Sequence, residues 1–325
     1  MSIAELLHIA AALAAPAFFL FFGLAALGSP LLAVICLTVG QLRGTQHPEA
    51  YARRLLRMAL TCALPACLLL AGATGLALYR VPWLRDWLQA APLVPALLAV
   101  VILAYCVSLL VWRVSRVAYR VRPDSPLPQA GALAVLAVAI LWLALSLLRD
   151  LAAQAQAVLG AISVGGEGGI ALAPLLKPDL SSTDPLLWAA VLASSLASAM
   201  CAGAWSLEYL LLRRDHEPFG RDAFAHAMRL AARSALRSGL LALSFLPALW
   251  NHLTDLPGQP ADAQAVKALL ISCGAAIFLA CSVWALLARS NRPCSRPALV
   301  HGALGLVWLG LTAALCAALL HFYAG

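Results

Sequence analysis

This chain has few charged residues and very few carboxylates. Charged side chains make up 11% of its 325 residues, and Asp and Glu together number 14. Soluble domains are typically about 25% charged and about 45–50% apolar, whereas the apolar fraction here is 63%. A soluble domain could not cover that much apolar surface, so the composition predicts a chain that lies in lipid.

Motifs for metal or covalent cofactor binding are also missing. None of the nine cysteines forms CxxC or CxxCH, so disulfide frameworks, iron–sulfur sites and covalently attached c-type haem have no support. No residue set predicts a catalytic or metal site. The start, Met-Ser-Ile-Ala-Glu, lacks a basic segment and a small-residue cleavage site, which predicts that the first helix is retained rather than removed as a signal peptide.

What the chain does have is a series of long apolar runs. Eight of them approach or exceed the ~20 residues that a helix needs to cross a bilayer. They lie at 9–42, 55–79, 91–112, 129–148, 185–212, 225–250, 265–288 and 298–321. We therefore predict an all-α, polytopic membrane protein with eight transmembrane helices.

The loops between these runs alternate between arginine-rich and arginine-poor. Of the 22 Lys and Arg residues, 17 fall on one side, and the other side has Arg80, Arg85, Arg149, Lys177 and Lys267. By the positive-inside rule the richer side is cytoplasmic, which predicts extracytoplasmic termini in a multi-pass protein of the bacterial inner membrane. Because the basic residues flank helices and form no aromatic-interleaved patch, they give no support for nucleic-acid binding.

The two halves of the chain resemble each other around their first basic loop. Residues 42–59 are similar to residues 211–230, and both segments follow a long helix and enter a helix with a basic start. An even number of helices repeated once keeps its orientation, so the pattern predicts a parallel 4+4 repeat of two four-helix bundles. The units would be 1–150 and 185–325, joined by an extracytoplasmic loop at 151–184.

Glu208 is the carboxylate that lies well inside a predicted helix. An ionisable group inside a membrane is a functional hypothesis by default, since its burial is costly. One interpretation is an ion pair with Arg213 or Arg214 near the inner surface. The other is a role in proton or quinone chemistry.

Three histidines, His8, His252 and His321, are predicted at the outer ends of helices one, six and eight. Imidazoles on facing helices can bind a b-type haem, and the same groups could contact a quinone. The alternative is simple contact with water or headgroups, with no cofactor at all. His226 and His301 are predicted near the inner surface, where they need no special role.

Several segments resemble one respiratory family. In the first half they are Phe-Leu-Phe-Phe-Gly-Leu-Ala-Ala-Leu-Gly at 19–28, Tyr51, Gly-Ala-Thr-Gly-Leu at 72–76, and Ala-Pro-Leu at 91–93 ahead of Trp112. Helix five adds Ser206, Tyr209, Leu211 and Arg214. These segments resemble subunit I of the cytochrome bd quinol oxidases.

The resemblance does not extend to the family's chemistry. The haem histidines of the family would fall on Phe19 and near Trp188, and its helix-three carboxylates would fall on Pro95 and Tyr105. The long outer loop that handles quinol is replaced by a short turn at 251–264. An oxidase needs axial ligands and proton-conducting acids, so the resemblance implies a relative without an oxygen-reducing site.

We therefore predict an integral membrane subunit of a bacterial respiratory electron-transfer complex, with a structural or quinone-handling role and no catalysis of its own. Its partners would be lipids, other membrane subunits and an extracytoplasmic c-type cytochrome or iron–sulfur protein. One alternative is a b-type cytochrome between quinol and an extracytoplasmic c-type cytochrome. Others are the quinol-binding anchor of a molybdoenzyme-type reductase, or a secondary transporter with helix one broken at Gly28-Ser29-Pro30.

Overall fold

The computed structural model describes residues 3–44, 46–90, 92–118, 126–165, 185–214, 221–248, 260–290 and 293–324. Its helices are α1 (Ile3–Arg43), α2 (Gln46–Arg80), α3 (Pro82–Ala90), α4 (Leu93–Ala118), α5 (Leu127–Gly165), α6 (Pro185–Leu212), α7 (Arg221–Leu243), α8 (Pro260–Arg289) and α9 (Pro297–Ala324). A short 3-10 helix, Pro293–Ser295, precedes α9. These ranges contain no strand, so the all-helical prediction is confirmed.

Seven of the described helices are long and apolar enough to cross a bilayer, which is compatible with a polytopic membrane protein. They are α1, α2, α4, α5, α6, α8 and α9. The stretch predicted at 225–250 coincides with α7, which differs because Arg229, Arg233 and Arg237 lie within it. The count of eight crossings therefore stays a prediction.

Neighbouring helices pair in the same way in both halves of the chain. The pairs α1–α2, α2–α4, α4–α5 and α1–α5 have the counterparts α6–α7, α7–α8, α8–α9 and α6–α9. Between the halves, α1 packs on α6, and the α1–α9 contact is matched by α5–α6. One core of buried side chains runs through both halves, so they pack as a continuous unit.

The α1–α6 crossing is unusually close. A Cβ atom added at Gly28 would lie 1.9 Å from the Ser198 carbonyl oxygen. Gly203 allows a similar approach of α6 to α7, since a Cβ there would be 2.7 Å from the Ala235 nitrogen. Glycine is what permits such contacts between helix backbones, as is common in helix pairs that pack within lipid.

Arginine-rich helix ends meet at one end of the bundle, namely the starts of α2 and α7 and the end of α6. We call this end of the bundle the basic end. The ring centroids of His47 and His226 are 4.9 Å apart, which joins the starts of α2 and α7. The Tyr51 hydroxyl lies 2.7 Å from the Ser206 hydroxyl, which joins the start of α2 to α6. The arginines at the starts of α2 and α7 therefore lie at the same end of the bundle as the end of α6.

Helix α5 extends well beyond its apolar run. The fourth run was predicted to end at 148, but α5 continues to Gly165. Residues 151–162 are mostly Ala, Leu and Gln, which favour helix without being as apolar as a membrane span. The predicted connection at 151–184 thus begins as helix, and its residues 166–184 lie outside the described ranges.

Candidate functional site

The first half of the chain has an apolar cavity of about 550 Å³ between α1, α2, α4 and α5, and this cavity is partly open to the protein surface. Phe19, Gly23, Ala66 and Ala73 contribute to its wall. Pockets for small molecules and cofactors usually have about 300–1,000 Å³ and mostly apolar walls. The volume is therefore sufficient for a ligand, and the wall favours an apolar one.

Small side chains on two facing helices create this space. Gly23 and Ala26 on α1 face Ala63, Ala66 and Ala73 on α2, and all five line the cavity. A Cβ atom at Gly23 would be 3.7 Å from the Ala66 Cβ, which is ordinary van der Waals contact. The helices are thus close enough to be in contact, while the missing side-chain volume leaves a void beside them.

Tyr105 is the main polar residue of the cavity wall, and its hydroxyl is already engaged. It is 2% exposed and donates a hydrogen bond of 2.6 Å to the Ala26 carbonyl. Pro30 lies four residues after Ala26 inside α1 and has no N–H to offer to that carbonyl. Tyr105 therefore supplies the hydrogen bond that proline removes, and α1 continues through the predicted break at Gly28-Ser29-Pro30.

Two thiols complete the polar part of the wall. The sulfur atoms of Cys67 on α2 and Cys106 on α4 are 3.8 Å apart, and both residues line the cavity. Thiols are weak hydrogen-bond donors. With Tyr105 engaged on α1, these thiols are the side-chain donors on this wall that have no main-chain partner.

The structure gives Glu208 a partner that differs from the predicted one. Its carboxylate is 2.8 Å from Nδ1 of His301 on α9, 93 positions away, and its side chain is only 9% exposed. Arg213, which was expected to pair with it, instead places its guanidinium 5.2 Å from the Tyr209 ring centroid. Glu208 therefore contacts His301 in place of the predicted Arg213, and the His301 ring is about half-exposed.

The outer histidines cannot be placed in the same way. The side chains of His8 and His321, and the whole of His252, lie outside what the structure describes. Their role in haem or quinone binding stays a prediction. Among the described residues, no group of three or more His, Cys, Asp or Glu side chains is arranged to hold a metal ion.

Phe19 and Trp188, where the resemblance in sequence would place the haem ligands of the bd family, have two different surroundings. Phe19 lines the cavity. Trp188 is 54% exposed and stacks on Trp142, with 6.4 Å between ring centroids. Sequence reasoning singled out Phe19 but missed the cavity and the role of Tyr105. The signal available for Tyr105 was Pro30, because an internal proline leaves a carbonyl four residues earlier in need of a donor.

No protein-family model, curated protein or solved structure matches the chain.

Proposed function

We propose that this chain is a non-catalytic membrane subunit of a bacterial respiratory complex, with a bd-like scaffold that binds the isoprenoid part of a quinone. The observation that carries the proposal is the apolar cavity of about 550 Å³ between α1, α2, α4 and α5. Phe19, where the bd resemblance would require a haem histidine, forms part of its wall.

The chemistry of the wall favours an isoprenoid chain over a haem. A haem needs an axial ligand such as histidine, methionine, cysteinate or tyrosinate, and the wall has no histidine or methionine. Its Tyr105 hydroxyl donates a hydrogen bond to the Ala26 carbonyl. The thiols of Cys67 and Cys106 are close enough to interact with each other. Their weak S–H donors suit a quinone carbonyl at the edge of the apolar space.

The scaffold in this proposal has eight crossings in a parallel 4+4 repeat, with both termini extracytoplasmic. Support comes from the matched helix pairs of the two halves. The α1–α6 contact adds to it, because Gly28 lies 15 residues before the end of α1 and Ser198 lies 14 before the end of α6. Near-equivalent positions of two related helices are expected to meet beside a two-fold axis.

Reporter fusions are expected to place both termini on the extracytoplasmic side. With α7 as an eighth crossing the number of spans is even, so alkaline phosphatase fused to either terminus should be active and green fluorescent protein should be dark. With only the seven apolar helices crossing, the termini would lie on opposite sides. Opposite results at the two ends would therefore exclude α7 as a span.

Filling the cavity is expected to lower quinone binding. Ala73→Phe adds an aromatic ring at a position that lines the cavity. Ala71→Phe makes the same change on the same helix at a position that does not line it, and both alanines are exposed. We expect the quinone that copurifies with Ala73→Phe to fall about tenfold, the effect of roughly 1.4 kcal/mol of lost affinity. The measurement is solvent extraction and chromatographic quantification of quinone per protein after purification in mild detergent.

The Ala71→Phe variant should retain the quinone content of the parent. Equal quinone content in all three proteins, or none in any of them, would contradict the proposal. A reduced-minus-oxidised spectrum of the same samples provides a separate check, since a b-type haem band would favour the cytochrome alternative.

A further inference from the structure

A second cavity, distinct from the apolar one, lies between α7 and α8. It has about 320 Å³ and is lined by Arg233, Leu236, Arg237, Ala285, Ala288 and Arg289. Three of these six side chains carry a guanidinium. No carboxylate belongs to the wall, and within the described part of the chain none of the three arginines has an ion pair.

The spacing of the arginines explains how they meet. Arg229, Arg233 and Arg237 follow one another at intervals of four, which places them on one face of α7. Arg289 lies in the last turn of α8. Because α7 and α8 pack side by side, the end of α8 brings its arginine to the two on α7.

Tight packing next to the cavity fixes the distance between the two helices. A Cβ atom at Gly239 would be 2.8 Å from the Cys281 sulfur and 3.3 Å from the Trp284 ring. Trp284 is fully buried. This packing sets the spacing of the two helices beside the cavity. The three arginines that line the cavity are exposed, and its wall contains no carboxylate.

The chemistry that fits three guanidinium groups is a phosphate. Arginine binds phosphate through paired, charge-assisted hydrogen bonds, and its weakly hydrated fork suits a site at the edge of an apolar region. Basic pockets between membrane helices on the cytoplasmic side are known to take the headgroups of anionic lipids. The cavity lies next to the last turn of α8, which is on the arginine-rich side of the chain that the sequence predicts to be cytoplasmic.

Apolar surface beside the cavity indicates a lipid rather than a soluble anion. Leu240 lies one turn beyond Leu236 on α7 and is 48% exposed, while Leu286 lies about one turn before Arg289 on α8 and is 56% exposed. Leu240 lies on the side of the cavity away from the start of α7, and Leu286 lies on the side away from the end of α8. A phosphate held by the arginines would thus have its acyl chains against leucine.

We propose that Arg233, Arg237 and Arg289 form a binding site for the phosphodiester headgroup of an anionic glycerophospholipid. This site is independent of the proposed quinone cavity, which lies between other helices in the first half of the chain. The lipid would bridge α7 to α8 and partly neutralise two of the three arginines that distinguish α7 from the seven apolar helices.

The test uses the full chain, delipidated in neutral detergent and titrated with phosphatidylglycerol or phosphatidylcholine, with binding measured by native mass spectrometry. The test variant combines Arg233→Gln, Arg237→Gln and Arg289→Gln. Each arginine contributes about fivefold to the affinity for an anionic surface, so the triple variant should bind phosphatidylglycerol on the order of a hundredfold more weakly.

The matched control removes the same charge elsewhere, with Arg43→Gln, Arg57→Gln and Arg113→Gln, three exposed arginines on α1, α2 and α4. It should change phosphatidylglycerol binding by less than about threefold if the site is specific. An equal loss in both triple variants would overturn the proposal, because it would show only a general effect of charge.

Measurements on the unaltered protein keep the test valid even if the triple variant fails to fold. Phosphatidylglycerol should bind at least about tenfold more tightly than phosphatidylcholine, and millimolar inorganic phosphate should not displace it. Displacement by inorganic phosphate would identify a soluble anion as the ligand and overturn the lipid proposal. Equal binding of the two lipids would do the same.

Discussion

Gly28→Ala is expected to destabilise the protein by about 3 kcal/mol or more, because the added methyl group would overlap the backbone of α6. Its Cβ would be 1.9 Å from the Ser198 carbonyl oxygen and 2.6 Å from the Ala199 nitrogen. Backbone atoms cannot rotate away as a side chain would, so α1 and α6 would have to separate. Thermal unfolding and fluorescence-detected size exclusion in detergent would measure the loss.

Gly23→Ala is the matched control, since it makes the same chemical change on the same helix. Its Cβ would meet the Ala66 Cβ at 3.7 Å, a normal contact, so stability should change by less than about 1 kcal/mol. If both variants melted at the same temperature, the α1–α6 crossing would be wider than described.

Tyr105→Phe is expected to destabilise the protein by about 1–3 kcal/mol, the usual effect of leaving a buried acceptor without a donor. The variant keeps the ring but removes the hydroxyl that bonds to the Ala26 carbonyl at 2.6 Å. In the apolar interior no water replaces it. The thermal melting temperature and the rate of trypsin digestion of the purified protein would report the change.

The effect should depend on Pro30, which makes the prediction specific. In a Pro30→Ala background the new N–H can donate to the Ala26 carbonyl, so Tyr105→Phe should then be nearly neutral. A double-mutant cycle measures this coupling. An equal loss with and without Pro30 would show that the Tyr105 hydroxyl acts through something other than the proline gap.

Elements that depend on local sequence were predictable. Of the eight apolar runs, seven coincide with described helices whose composition suits a bilayer, because length and hydropathy are properties of one segment at a time. The end of α5 was wrong by 17 residues, at 148 rather than Gly165. In residues 149–165 the helix propensity is high although the segment is less apolar than a membrane span, since Ala and Gln favour helix without indicating a transmembrane segment.

Features that depend on two distant segments were harder to predict. Glu208 was recognised as unusual, but its partner His301 is 93 positions away and its neighbour Arg213 was the simpler choice. The cavity was also out of reach, because a void arises only when small residues on several helices face each other. Phe19 was singled out only by the bd resemblance. Nothing in the local sequence indicated that Cys67 and Cys106 line the same cavity as Phe19.

The length of α5 has a practical consequence for imaging the protein. Its 39 residues extend about 58 Å at 1.5 Å per residue, roughly twice the ~30 Å of bilayer hydrocarbon. A particle of 34.1 kDa inside a detergent micelle has few features outside the micelle that can be used to align its images in electron cryomicroscopy. A rigid domain fused in helical register after Gly165, or an antibody fragment raised against this segment, would supply an orientation marker directly coupled to a helix of the core.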